Sequence, residues 1–125
     1  CKIIGGKKAF VSFDRFSTLS PNVVIAAGSD DYHSGIATPM IPIEYKGNVK
    51  IGTVEINQHC IVGANSTILP NVVLNTGSSV GANSLVNSNL TSWKLYAGIP
   101  AKIIKERDMI EILRLEKMYL ESVNE

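Results

Sequence analysis

The stretch INQHCIVGANSTILPNVVLNTGSSVGANSLV, residues 56–86, carries an aliphatic residue at every sixth position. Ile56, Val62, Ile68, Leu74, Val80 and Val86 keep that spacing without a slip. Four places after each stands a second restricted set: Cys60, Ser66, Val72, Ser78, Ser84 and Leu90. A helix repeats its apolar face near 3.6 residues and a half-buried strand about every 2, so six fits neither alone. It fits a chain that runs a short extended segment, turns and runs another, with three segments closing one triangular coil. Coils of this kind stack through parallel strand pairing, with the aliphatic residues inside the prism and the fourth-later residues lining its corners. Asn and Gly dominate the place directly after the aliphatic, at Asn57, Gly63, Asn75, Gly81 and Asn87. They are expected there to supply the positive φ of tight corners.

Outward from this stretch the repeat continues with breaks. Phe13, Leu19 and Ile25 are six apart, with Ser17 and Val23 in the fourth-later places. The phase is lost between Ile25 and Ile56, where Gly35, Pro39 and Pro42 punctuate a loop insertion around 29–48. The repeat resumes through Val49, Ile51 and Val54. Such insertions on a repeat scaffold are where function concentrates. After Val86 the pattern fades, and Gly98 and Pro100 mark the exit. Residues 106–122 read as a helix with Ile110, Leu113 and Met118 among charged residues, a brace for the open coil end. The expected organisation is all-β: a β-helix over 1–101, then an exit segment and C-terminal helix over 102–125.

The 125 residues fit one domain, and 45% hydrophobic content is ordinary for a folded chain. A net charge of +1 gives no general pull toward nucleic acid or an anionic membrane. Charge is uneven: five of the twelve basic and six of the eleven acidic residues fall within 102–125, which marks a second structural regime. No apolar run approaches the roughly 20 residues of a membrane span. The two cysteines are too few for a disulfide scaffold, in keeping with a reducing, cytoplasmic setting. Beginning at Cys1 rather than Met, the chain reads as trimmed or as a fragment.

VGANSTILPNVVL, SSVGANSLV and LYAGIPAKIIKER resemble the hexapeptide-repeat acyltransferases, most closely the galactoside and O-antigen sugar O-acetyltransferases. Asn71 and Asn75 stand where that pattern usually has Gly. The resemblance implies a left-handed parallel β-helix, a homotrimer with active sites between subunits, and acetyl-CoA as donor with no metal required. It also implies donor contacts at Ala64, Ala82, Ser84 and Asn87, with Lys102 and Lys105 near the nucleotide phosphates. Trp93 and Tyr96 would pack on the adenine or cover the coil end.

Acyl transfer to a sugar hydroxyl or amine needs a base, an oxyanion partner and two substrates held together. Imidazole titrates near neutrality, and the chain has two histidines, His33 and His59. His33 lies in SDDYHSG on the insertion and is the expected general base of a direct transfer. Asp30, Asp31 and Tyr32 beside it are expected to orient the ring or contact the sugar. His59, in a coil corner, is expected at the substrate and is the second candidate for the base. Glu44 and Tyr45 are candidates for the acceptor pocket, and Cys60 is read as packing rather than as a nucleophile. Two other readings remain: a non-enzymatic β-helix scaffold or inactive homologue, and a γ-type carbonic anhydrase. The last needs three histidine ligands on zinc.

Overall fold

The computed structural model describes residues 1–5, 9–29, 34–36, 40, 42–45, 47 and 50–123. Strand β1 (Lys2–Ile4) is followed by a coil of β2 (Phe10–Phe13), β3 (Thr18–Leu19) and β4 (Val24–Ala26). An excursion then leaves the stack through β5 (Gly28–Ser29), makes a 3-10 turn at Ile43–Tyr45 and returns through β6 (Lys50–Ile51). A second coil holds β7 (Thr53–Ile56), β8 (Ile61–Val62) and β9 (Thr67–Ile68); a third holds β10 (Val72–Leu74), β11 (Ser79–Val80) and β12 (Leu85–Val86). The exit runs through β13 (Lys94–Ala97) and β14 (Lys102–Glu106) into α1 (Met109–Val123).

The coils stack in parallel register, giving three flat faces. The first is β2, β7 and β10; the second is β3, β8, β11 and β13, closed by antiparallel β14; the third is β1, β4, β9 and β12. Partners such as Val54 and Val72, or Thr67 and Leu85, lie 18 residues apart, one turn of three hexads. All six aliphatic residues of 56–86 are buried, and so are all six fourth-later residues. The first coil keeps the register, with Phe13 beside Ile56, Leu19 beside Val62 and Ile25 beside Ile68. Phe13 is nonetheless exposed, because it lies at the end of the stack. Val49 lies outside the described residues, and Ile51 sits in the neck of the excursion rather than in a coil.

The corners differ from expectation. Positive φ falls three places after the aliphatic, at His59, Asn65, Asn71, Gly77 and Asn83, and not directly after it. The residues directly after have other work. Asn57 and Asn75 donate through their amides to the carbonyls of Leu74 and Leu90, one coil up. Gly63 sits where coils touch: a Cβ there would meet the Ala82 nitrogen at 2.5 Å and the Gly81 carbonyl carbon at 2.8 Å. At Gly81 the nearest atom would be the Ala97 methyl at 3.1 Å. Backbone cannot swing aside as a side chain can. Gly63→Ala is therefore expected to cost about 3 kcal/mol and Gly81→Ala about 1 kcal/mol or less, read as urea midpoints. Equal losses would mean that the coil spacing adapts.

Asp108 caps α1, its carboxylate accepting from the Glu111 N–H at 3.0 Å. The helix starts three residues later than expected, because Lys102–Glu106 extend the sheet. No side chain of α1 is fully buried. Ile112, Leu115, Glu116 and Tyr119 border a groove with Phe16 and His59, while Ile110 and Met118 face solvent. No helix among the described residues is long and apolar enough to cross a membrane.

Candidate active site

The prism has three corners, and each carries a different chemistry. Between the first and second faces the left-handed positions are Phe16, His59, Gly77 and Trp93. Bulky residues in this conformation are uncommon and cost free energy, and the packing around them shows the compensation. Phe16 stacks on the His59 ring at 5.1 Å, Trp93 lies 5.9 Å from it, and Tyr119 meets Phe16 edge-on. Trp93 also occupies the space above Gly77, where a Cβ would fall 2.3 Å from the indole. His59 Nε2 lies 3.1 Å from Glu116 Oε2, an ion-pair distance for a protonated ring. It is buried without an aligned hydrogen bond among the described residues.

Arg107 fastens the exit segment to the same corner. Its Nη1 donates to the His59 and Gly77 carbonyls, each at 2.7 Å, and its guanidinium stands 6.0 Å from the Trp93 ring centre. Burial pushes the Arg107 pKa down. His59 is thus enclosed by α1 and Arg107. Cys60 beside it is buried, lies 3.3 Å from the Ser78 hydroxyl, and has its thiol pKa pushed up by burial. A raised thiol is a poor nucleophile at neutral pH.

The corner between the second and third faces is built of small residues. Gly63–Ala64, Gly81–Ala82 and Ala97–Gly98 follow one another up the stack. Ala82 is exposed and Ala64 half-buried, and the Ala64 carbonyl accepts from the Asn83 N–H at 2.9 Å. Ser84 lies inside the prism. Its hydroxyl donates to the Gly81 carbonyl at 2.8 Å and accepts from the Gly98 N–H at 3.1 Å. Lys102 and Lys105 are exposed on β14, opposite Ala97 and Leu95. Tyr96 is buried and its hydroxyl accepts from the Thr91 N–H at 2.8 Å, so it covers the coil end.

The excursion leaves from the third corner, between the third and first faces, where Asn87 is exposed. Its neck is tied by the pairs Gly28–Ile51 and Ser29–Lys50 and by the Gly52 N–H donating to the Ala27 carbonyl at 3.0 Å. His33, Asp30, Asp31 and Tyr32 lie outside the described residues. Glu44 and Tyr45 are exposed in the 3-10 turn, where the Tyr45 carbonyl accepts from the Ile36 N–H at 3.0 Å. The excursion and the small-residue corner therefore flank the third face, and the His59 corner lies across the prism from it. Sequence reading missed Arg107, Glu116 and the aromatic corner. Their one signal was the break in the Asn and Gly column by Phe16 and His59.

This is a left-handed parallel β-helix of hexapeptide repeats with a C-terminal helix. No family model matches the chain. It is homologous to sugar acyltransferases. The chain is 38% identical over 119 residues to the dTDP-4-amino-4,6-dideoxy-D-glucose acyltransferase of Escherichia coli, covering 94% of this chain and 59% of that protein. It superposes with a TM-score of 0.90 on AntD, an N-acyltransferase from Bacillus cereus in complex with dTDP and 3-hydroxybutyryl-CoA. That match is at 38% identity and covers 98% of this chain and 64% of that one. A maltose O-acetyltransferase from Clostridium difficile 630, at 19% identity and a TM-score of 0.62, shares the fold alone. The chain thus spans about three-fifths of the length of these first relatives.

Proposed function

We propose that the chain carries the catalytic coils of an acyl-CoA-dependent acyltransferase whose acceptor is the amine of a nucleotide-linked aminosugar. The observation that carries the reading is the 38% identity, over nearly the whole chain, to an N-acyltransferase bound to dTDP and 3-hydroxybutyryl-CoA. In this reading His33 is the general base. The sugar amine attacks the thioester carbon, a C–N bond forms, the C–S bond breaks, and the amine proton passes through His33 to the departing thiolate. Asp30 and Asp31 orient the imidazole and Tyr32 contacts the sugar. Ala64, Ala82, Ser84 and Asn87 border the donor groove, with Ser84 acting through the backbone it fixes. Lys102 and Lys105 serve the CoA phosphates as point charges. His59 braces α1 rather than touching substrate.

Transfer is direct in this reading, because the buried, raised thiol of Cys60 offers no acyl-enzyme route. A homotrimer with grooves between copies would cover exposed apolar residues on the flat faces, among them Phe10 and Ile61. In this reading the enzyme works in the cytoplasm.

The test supplies acetyl-CoA or 3-hydroxybutyryl-CoA with dTDP-4-amino-4,6-dideoxyglucose and follows free thiol. Stoichiometric thiol release with an N-acylated sugar nucleotide is expected. Turnover with neutral sugars only would move the acceptor to a hydroxyl, and none with any sugar would end the reading.

A further inference from the structure

Gly52 is the residue at which the excursion rejoins the coil, and it is held from three sides. Its N–H donates to the Ala27 carbonyl of the outgoing limb at 3.0 Å, and its carbonyl accepts from the Phe10 N–H at 3.2 Å. Its third neighbour is the Asn71 side chain from the next coil. A Cβ on Gly52 would fall 1.6 Å from Asn71 Oδ1 and 2.4 Å from its Cγ. The same Oδ1 accepts from the Thr53 N–H at 3.3 Å. Asn71 itself has a φ of 61°. Glycine would meet the backbone need at 71 equally well, so the conformation alone does not require asparagine. The amide fills a hole that only a glycine at 52 leaves open.

We propose that Asn71 is a positioning residue: its amide pegs the returning limb of the excursion, at Gly52 and Thr53, to the coil above and so sets the geometry of the neck where Gly28 pairs with Ile51 and Ser29 with Lys50. The ladder at the neck has only two residue pairs, and an isolated hairpin of that size is marginal in water. The limb therefore needs an anchor from the body of the prism, and Asn71 supplies it at Gly52 and Thr53. Its effect on turnover rests on the proposed function, because that reading puts the base and the acceptor contacts on the loop. Its effect on the neck does not rest on it.

The peg is tested by hydrogen exchange at the neck amides together with steady-state kinetics. Asn71→Gly keeps the left-handed backbone and removes the amide. Gly52→Ala evicts the amide, whose far end can swing outward at small cost to the fold. Each should speed exchange around Gly28 and Ile51 about fivefold, the population shift worth roughly one net hydrogen bond. Each should raise the KM for the aminosugar nucleotide by a similar factor and leave the KM for acyl-CoA unchanged. Both remove one contact, so the double variant should be no worse than either single. Asn71→Asp, which keeps the acceptor oxygen, should restore both readouts. Additive losses in the double variant, or unchanged exchange in Asn71→Gly, would overturn the peg. A wild-type protein that turns over no sugar nucleotide would sink the enzyme reading, and the exchange data would still decide the peg.

Discussion

His33→Ala is expected to lower kcat by about 10²–10⁴-fold, the usual contribution of a positioned general base, with little change in the KM for acyl-CoA. A base must be neutral to accept the amine proton. Wild-type kcat/KM should therefore climb with pH through the imidazole range, and this limb should vanish in the variant. His59→Gln is the contrasting case: it should weaken the dock of α1 and leave the acidic limb in place. If His33→Ala kept full turnover, the base would lie elsewhere, with Asp30 and Asp31 next to be tried. The chemistry favours His33 over His59 because His59 is closed in by Phe16, Trp93, Glu116 and Arg107. Its Nε2 is buried and lies 3.1 Å from Glu116 Oε2.

The second large effect is on stability. Arg107→Met should cost about 2–4 kcal/mol, because two carbonyls lose charge-assisted hydrogen bonds at 2.7 Å. For a chain of this size that lowers the melting midpoint by roughly 10 °C. Methionine keeps much of the side chain's apolar bulk, so the loss reports the bonds rather than the packing. Arg107→Lys should recover only part of it, since one ammonium lacks the planar fork of donors. The damage should localise. Near-ultraviolet signal from Trp93 should change, and exchange in α1 should quicken while the third coil stays protected. An unchanged midpoint in Arg107→Met would show that the helix is held by its apolar face alone.

Much of the prism was legible from spacing. Ile56 to Val86 are buried in register because a triangular coil returns to the same face every 18 residues. The corner chemistry was less legible. Asn57 and Gly63 drew attention by residue type, yet the left-handed backbone falls at His59, Asn65 and Asn71. The column three places after each aliphatic does read as Asn and Gly with one histidine, so the signal was present and was assigned to the neighbouring column. The helix face was misread for a different reason. Ile110, Leu113 and Met118 stood out by hydrophobicity, but the residues that border the groove with Phe16 and His59 are Ile112, Leu115, Glu116 and Tyr119, and α1 buries none of its side chains fully.

The sequence by itself determined the stack: a six-residue period can bury its aliphatic residues only if the chain turns three times per coil, and that holds whatever lies outside. Tertiary structure decided which side chains cross between coils. The Arg107 clasp on the His59 and Gly77 carbonyls, the Glu116 contact with His59 and the Asn71 peg in Gly52 join residues 19 to 57 positions apart. Such pairings are set by the pitch of the coils and the path of the exit segment. Periodicity specifies which residues face inward; it says nothing about which outward-facing residues meet once the coils are stacked.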